Sequence, residues 1–135
     1  MRSHATGASS TKGKEQRRVR RWTVASGLLL AGGAHLPVTS EHLKEAPIWG
    51  VLFVLFTLTT WMLAVAIVRF DSRRCYFAAV AISAAAIGTY VVSRLIPLPQ
   101  ISEDVGMWLE PWGVISVLVE LSTVAAAVGG LRRHG

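Results

Sequence analysis

Four long apolar runs, Trp22 to Val38, Ile48 to Val68, Cys75 to Ile96 and Trp112 to Leu131, contain only two formally charged residues, Arg94 and Glu120. The other charges sit in blocks that flank or separate the runs. A soluble chain of 135 residues could not hide four such runs, because its surface would have to be largely apolar. At 1.5 Å rise per helical residue, the last three runs are long enough to cross a ~30 Å hydrocarbon layer, and the first is at the short limit. Trp22, Trp49, Trp108, Trp112, Tyr76 and Tyr90 fall near run ends, where amphipathic rings settle at a membrane interface. The expected fold class is all-α: a polytopic membrane protein whose four transmembrane helices pack as an antiparallel bundle.

The basic residues set the expected orientation. Residues 1–21 are polar, rich in Gly and Ser, and end in Arg17-Arg18-Val19-Arg20-Arg21. That composition reads as a disordered basic cytoplasmic tail, followed by a transmembrane domain over 22–135. Twelve of the fourteen Lys and Arg fall in this tail, in the loop holding Arg69, Arg73 and Arg74, or at Arg132 and Arg133. Only Lys44 and Arg94 lie on the other side. The positive-inside rule then makes both termini cytoplasmic in a multi-pass protein of a bacterial plasma membrane. A basic stretch before a short apolar run also describes a signal peptide, with Ala31-Gly32-Gly33-Ala34 as its cleavage region. Against that stand the long tail and three later runs that need orienting. The formal charge of +6 finds its partner in anionic lipid headgroups at the tail. With no nucleic-acid motif present, no nucleic-acid partner is expected. The lone Cys75 rules out an internal disulfide; it reads as a small interfacial residue, with palmitoylation beside Arg73 and Arg74 as the alternative.

Helices in lipid associate through small and polar side chains. Such residues recur at steps of three and four in the last run: Gly113, Ser116, Glu120, Thr123, Ala127 and Gly130. The third run repeats the rhythm with Ala79, Ser83, Ala86, Tyr90 and Ser93, and the second with Gly50, Phe53, Thr57, Thr60 and Ala64. These stripes are expected to meet at the bundle centre. Aligning Gly50 with Gly113 sets Thr57 against Glu120 and Thr60 against Thr123, a weak repeat of two hairpins about an axis along the membrane normal.

Glu120 lies ~12 Å inside its run by helical rise. An ionised carboxylate there costs several kcal/mol unless it is paired, protonated or hydrated, so intramembrane acids are functional candidates. Thr57 and Tyr90 fall at similar depth, and Arg94 and His35 about one turn shallower; Glu120, Thr57, Tyr90 and Arg94 form the expected polar site. The bland reading is a hydrogen-bonded acid that fixes helix register.

The first outer loop adds His35, Glu41, His42 and Glu45. If Thr39 or Ser40 capped a short helix, Glu41 and Glu45 would share a face and His42 would neighbour Glu45. Imidazole and carboxylate together suit zinc, copper or iron, so a bound metal ion is one expectation; a solvated loop is the other. HExxH, CxxC and a two-histidine i, i+4 pair are all missing, as are a nucleophile–base pair and a phosphate-binding Gly loop. Catalysis is therefore not the expectation. The loop from Arg94 to Trp112, with Pro97, Pro99, Glu103, Asp104 and Glu110, is expected over the bundle mouth.

The stretch His35-x-x-Val38-Thr39-x-Glu41-His42-x-x-Glu45-Ala46-Pro47-x-x-Gly50 resembles a segment of uncharacterised small four-helix integral membrane proteins of actinobacterial type. Glu110-Pro-x-Gly113, leading into a run that carries Glu120, is similar in the same way. The resemblance implies the four-span topology and brings no activity with it. The expected function is an accessory, assembly or ligand-binding membrane component with an outward polar site, alone, as a homo-oligomer or in a larger complex. The alternatives are an oligomeric transporter of protons, metal ions or a small solute through Glu120, and a metal-binding redox component using His35 and His42.

Overall fold

The computed structural model describes residues 5–134, and every regular element among them is helical. Helix α1 spans Ala5–Glu45, α2 Pro47–Phe70, α3 Arg73–Leu95 and α4 Pro111–His134, with one 3-10 turn at Ser102–Asp104. Helices α2, α3 and α4 are long and apolar enough to cross a membrane. Their outward surfaces carry Leu58, Met62, Val65, Phe77, Leu118 and Leu121, all exposed, as a lipid-facing surface requires and a water-facing one does not.

Helix α1 departs from expectation at both ends. Residues 5–21, expected as a disordered tail, are its first turns; residues 1–4 of that tail lie outside the described residues. Arg133 of α4 donates to Gln16 Oε1 at 2.8 Å, and the Arg20 guanidinium stands 5.8 Å from the Tyr76 ring centre of α3. Contacts to two other helices thus hold a segment whose own composition favours coil. At the far end no helix starts at Thr39 or Ser40. Pro37 lies within α1, leaving the Gly33 carbonyl without its usual donor, and Thr39 Oγ1 donates back to His35 O at 2.6 Å. The helix runs on to Glu45 because the first residue forced out of helical geometry is Ala46, which precedes Pro47.

The turns are short and specific. Pro47 opens α2 at a position where its missing N–H costs nothing. Asp71 closes α2 in the left-handed region (φ 43°), a conformation Asp tolerates better than most side chains, and its N–H bonds Ile67 O. Ser72 then caps α3 by accepting from Cys75 N–H. At α4 the Glu110 carboxylate accepts from Trp112 N–H at 3.1 Å and Gly113 N–H at 2.6 Å, closing the orphan donors of the first turn.

The small-residue stripes face inward. Ser116, Glu120, Thr123, Ala127 and Gly130 are the buried residues of α4, and Gly50, Thr57, Thr60 and Ala64 are buried on α2 with Ile67. On α3, Ala79, Ser83 and Ser93 are buried, while Ala86 and Tyr90 are half-buried. Glycines allow the closest approaches: Gly32 of α1 against Thr60 and Trp61, and Gly130 of α4 against the Tyr76 ring. The deep Trp61 uses that gap to donate from Nε1 to Leu29 O at 3.2 Å. Helix α1 packs on α2 and α4, and α3 on α4, whereas α2 and α3 meet only sparsely. The apolar core of Val24, Ala25, Leu28, Ala64, Ile67, Tyr76, Ala79 and Ala127 sits in the half nearest Asp71 and the basic residues. The opposite half is hollow.

Candidate functional site: a cavity beneath the long loop

In the hollow half a cavity of about 660 Å³ lies between the four helices, within the size range of small-molecule sites. His35, Glu41, His42, Tyr90, Arg94 and Glu120 all line it. Six of the eight residues expected to carry chemistry are therefore brought to one space. Thr57 and Glu45 are not. Thr57 is buried against α1, where its hydroxyl donates to Gly32 O at 3.1 Å, and Glu45 is exposed outside the cavity.

Glu120 marks the deep end. It is 1% exposed and accepts from Ser116 Oγ at 3.3 Å. Its place follows from the α4 stripe, since Ser116, Glu120 and Thr123 share one face at i, i+4, i+7. Inward of Glu120 the apolar core closes the space.

Arg94, grouped with Glu120 in the expected polar site, turns to the loop instead. It does not reach Glu120; its Nη1 pairs with Asp104 Oδ2 at 2.7 Å and lies 3.4 Å from the Asp104 carbonyl oxygen. Its guanidinium also stacks over the Tyr90 ring at 4.6 Å, and its carbonyl accepts from Gly106 N–H. Tyr90 likewise turns to the loop, donating from its hydroxyl to Trp108 O at 2.7 Å. Two further bonds pin the loop to α2: Trp49 Nε1 donates to Pro99 O at 2.7 Å, and Ile48 N–H to Gln100 Oε1 at 3.1 Å. Residues 96–110 are thus strapped across the mouth from α3 to α2, as the sequence suggested.

The two histidines share a geometry. His35 Nδ1 lies 2.8 Å from Ala31 O, and His42 Nδ1 2.8 Å from Val38 O. A carbonyl only accepts, so each Nδ1 carries the proton, leaving Nε2 of the neutral ring as a hydrogen-bond acceptor. Phe53 lies between them, 5.1 Å from the His35 ring and 5.0 Å from the His42 ring, and Phe56 is 4.7 Å from His35. Seven residues apart on one helix, the imidazoles stand ~10 Å apart along its axis. Among the described residues no group of three or more His, Cys, Asp or Glu side chains is placed to hold a metal ion. His35, Glu41, His42 and Glu45 are not gathered into one donor set.

Sequence reasoning missed the aromatic wall of Trp49, Phe56 and Trp112 around these polar groups. It also missed Asp104 as the counter-charge of Arg94. The wall had a signal in the clustering of aromatics at the loop-side ends of α2 and α4. The ion pair had none, because it closes an irregular loop. Comparison with protein-family models, with curated proteins and with solved structures finds no match for this chain.

Proposed function

We propose that this chain is a ligand-binding membrane component, a four-span antiparallel bundle in which α1 crosses beside the three more apolar helices. In this reading both termini and the Asp71-Ser72 turn are cytoplasmic, the cavity opens outward, and the protein is not an enzyme. The observation that carries it is the cavity itself, which joins an aromatic wall to Glu120, the one acid among the described residues that is buried within a helix. Its ligand is a small amphipathic molecule bearing hydrogen-bond donors. Arg94 is committed to Asp104, so acceptors predominate among the polar groups left to a guest: the Glu41 and Glu120 carboxyls and the two imidazole Nε2 atoms, beside the single indole N–H of Trp112. An ordered loop over the mouth fits binding better than bulk conduction. The apolar core inward of Glu120 leaves a transporter a closed path in this state.

Thermal stability of the purified chain in detergent tests the binding reading. Amphipathic amines, alcohols and phenols should raise the melting temperature, and hydrocarbons of the same shape without a donor should not. Ala86→Leu, which fills the wall, should abolish that rise, while Val65→Leu on the exposed face should leave it intact. An undiminished rise in Ala86→Leu would place the ligand elsewhere.

Reporter fusions test the topology. Fusions after residue 21, between Asp71 and Arg74, and after Arg133 should report cytoplasm, and those at Lys44 and Ser102 the outside. A cytoplasmic signal at Lys44 would remove α1 as a span.

A further inference from the structure

Two adjoining hollows run along the outer seam between α1 and α4, about 630 and 880 Å³ in volume, sharing Glu15, Val19 and Thr23. We infer that this seam is a binding groove for one anionic phospholipid, its headgroup phosphate held at the basic end and an acyl chain laid toward Leu30 and Leu118. The groove is distinct from the cavity under the loop, and no cavity residue lines it.

The charge around the groove is one-sided. Lys12, Arg18, Arg20 and Arg133 line it against the single acid Glu15. Arg133 is anchored by its bond to Gln16. Arg20 is half-buried with its guanidinium beside the Tyr76 ring, yet its Nε and Nη2 have no hydrogen-bond partner, and a phosphate oxygen supplies the acceptor that such donors lack. Below the cations the lining becomes small, and the hydroxyls of Thr23, Ser122 and Thr123 donate to carbonyls of their own helices. Ala125, Ala126 and Gly129 leave the seam open, and a side-chain carbon placed on Gly129 would meet nothing within 4 Å. From Arg20 to Leu30 the helical rise is ~15 Å, the depth of one leaflet in a ~30 Å hydrocarbon layer. A groove with cations at one end and a floor of small and apolar residues one leaflet deep matches a lipid in both charge and length. A soluble phosphate would use only its upper end.

The experiment offers the delipidated full chain equal amounts of phosphatidylglycerol and phosphatidylcholine and counts retained lipid by native mass spectrometry. Wild type should retain phosphatidylglycerol preferentially. Arg20→Gln and Arg133→Gln should each lower that preference roughly fivefold, the worth of one cation near a membrane surface. Lys14→Gln with Arg17→Gln, exposed and outside the groove, should leave it unchanged. Ala126→Leu keeps every charge and should reduce retention of both lipids by filling the floor, which keeps the test decisive should Arg20→Gln fail to fold. Equal losses from the Lys14/Arg17 pair would mean diffuse attraction to a basic segment and overturn the inference. So would displacement of the lipid by excess glycerol phosphate, which would make the site one for free phosphate.

Discussion

Asp104→Ala should cost about 3 kcal/mol of stability and release the long loop. Arg94 is 6% exposed and Asp104 36%, so removing the carboxylate strands a buried guanidinium. Breaking a buried pair costs ~3–5 kcal/mol, and the partial exposure of Asp104 places this one at the low end. Arg94→Leu should cost less, since the aspartate it frees can turn to water. The double replacement Arg94→Leu/Asp104→Leu should recover much of the loss, because it removes the stranded charge along with its partner. Melting curves of the three variants in one detergent give the coupling. Glu120→Gln combined with Arg94→Leu should instead be additive within ~0.5 kcal/mol, since the two side chains do not pair. Strong coupling there would mean that Arg94 turns inward to Glu120 in the membrane. Proteolysis within residues 96–110 should quicken in Asp104→Ala, and the ligand-induced rise in melting temperature should shrink with it.

The positions that could be read from sequence are those governed by helical period. Ser116, Glu120, Thr123, Ala127 and Gly130 share one face because 3.6 residues make a turn, and that face is buried. Thr57 and Glu120, matched by the weak repeat, are both buried at 5% and 1% exposure. What could not be read depends on partners distant in sequence. The first turns of α1 look like coil by composition, and Gln16 and Arg20 are held by Arg133 and Tyr76. Pro37 looks like a breaker, and α1 passes through it. Arg94 lies about one turn shallower than Glu120, within reach of an inward-turned side chain, yet the loop supplies Asp104. Tyr76 looks like a belt residue and is fully buried, because Gly130 opens a slot for its ring and Asp71 accepts its hydroxyl at 2.6 Å.

That slot makes Tyr76 the sharpest test of the division between a packed half and a hollow half. Tyr76→Ala should cost about 2–3 kcal/mol. Large-to-small aromatic changes in soluble cores cost ~3–5 kcal/mol, but helices that separate within lipid keep their apolar surroundings, so only lost contacts and the void count here. Tyr76→Phe keeps the ring and loses the bond to Asp71, and should cost about 1 kcal/mol. Gly130→Leu drives a side chain into the same ring and should cost about 1–3 kcal/mol as overpacking. Phe56→Ala removes a ring of similar size from the cavity wall. Phe56 already borders empty space, so its loss forfeits fewer contacts, and the cost should stay near 1 kcal/mol. Unfolding of the four variants in a mild detergent, followed by near-ultraviolet circular dichroism, ranks them directly. Equal losses for Tyr76→Ala and Phe56→Ala would mean that the wall is packed against something in the folded protein. The hollow that the binding proposal rests on would then not exist in solution.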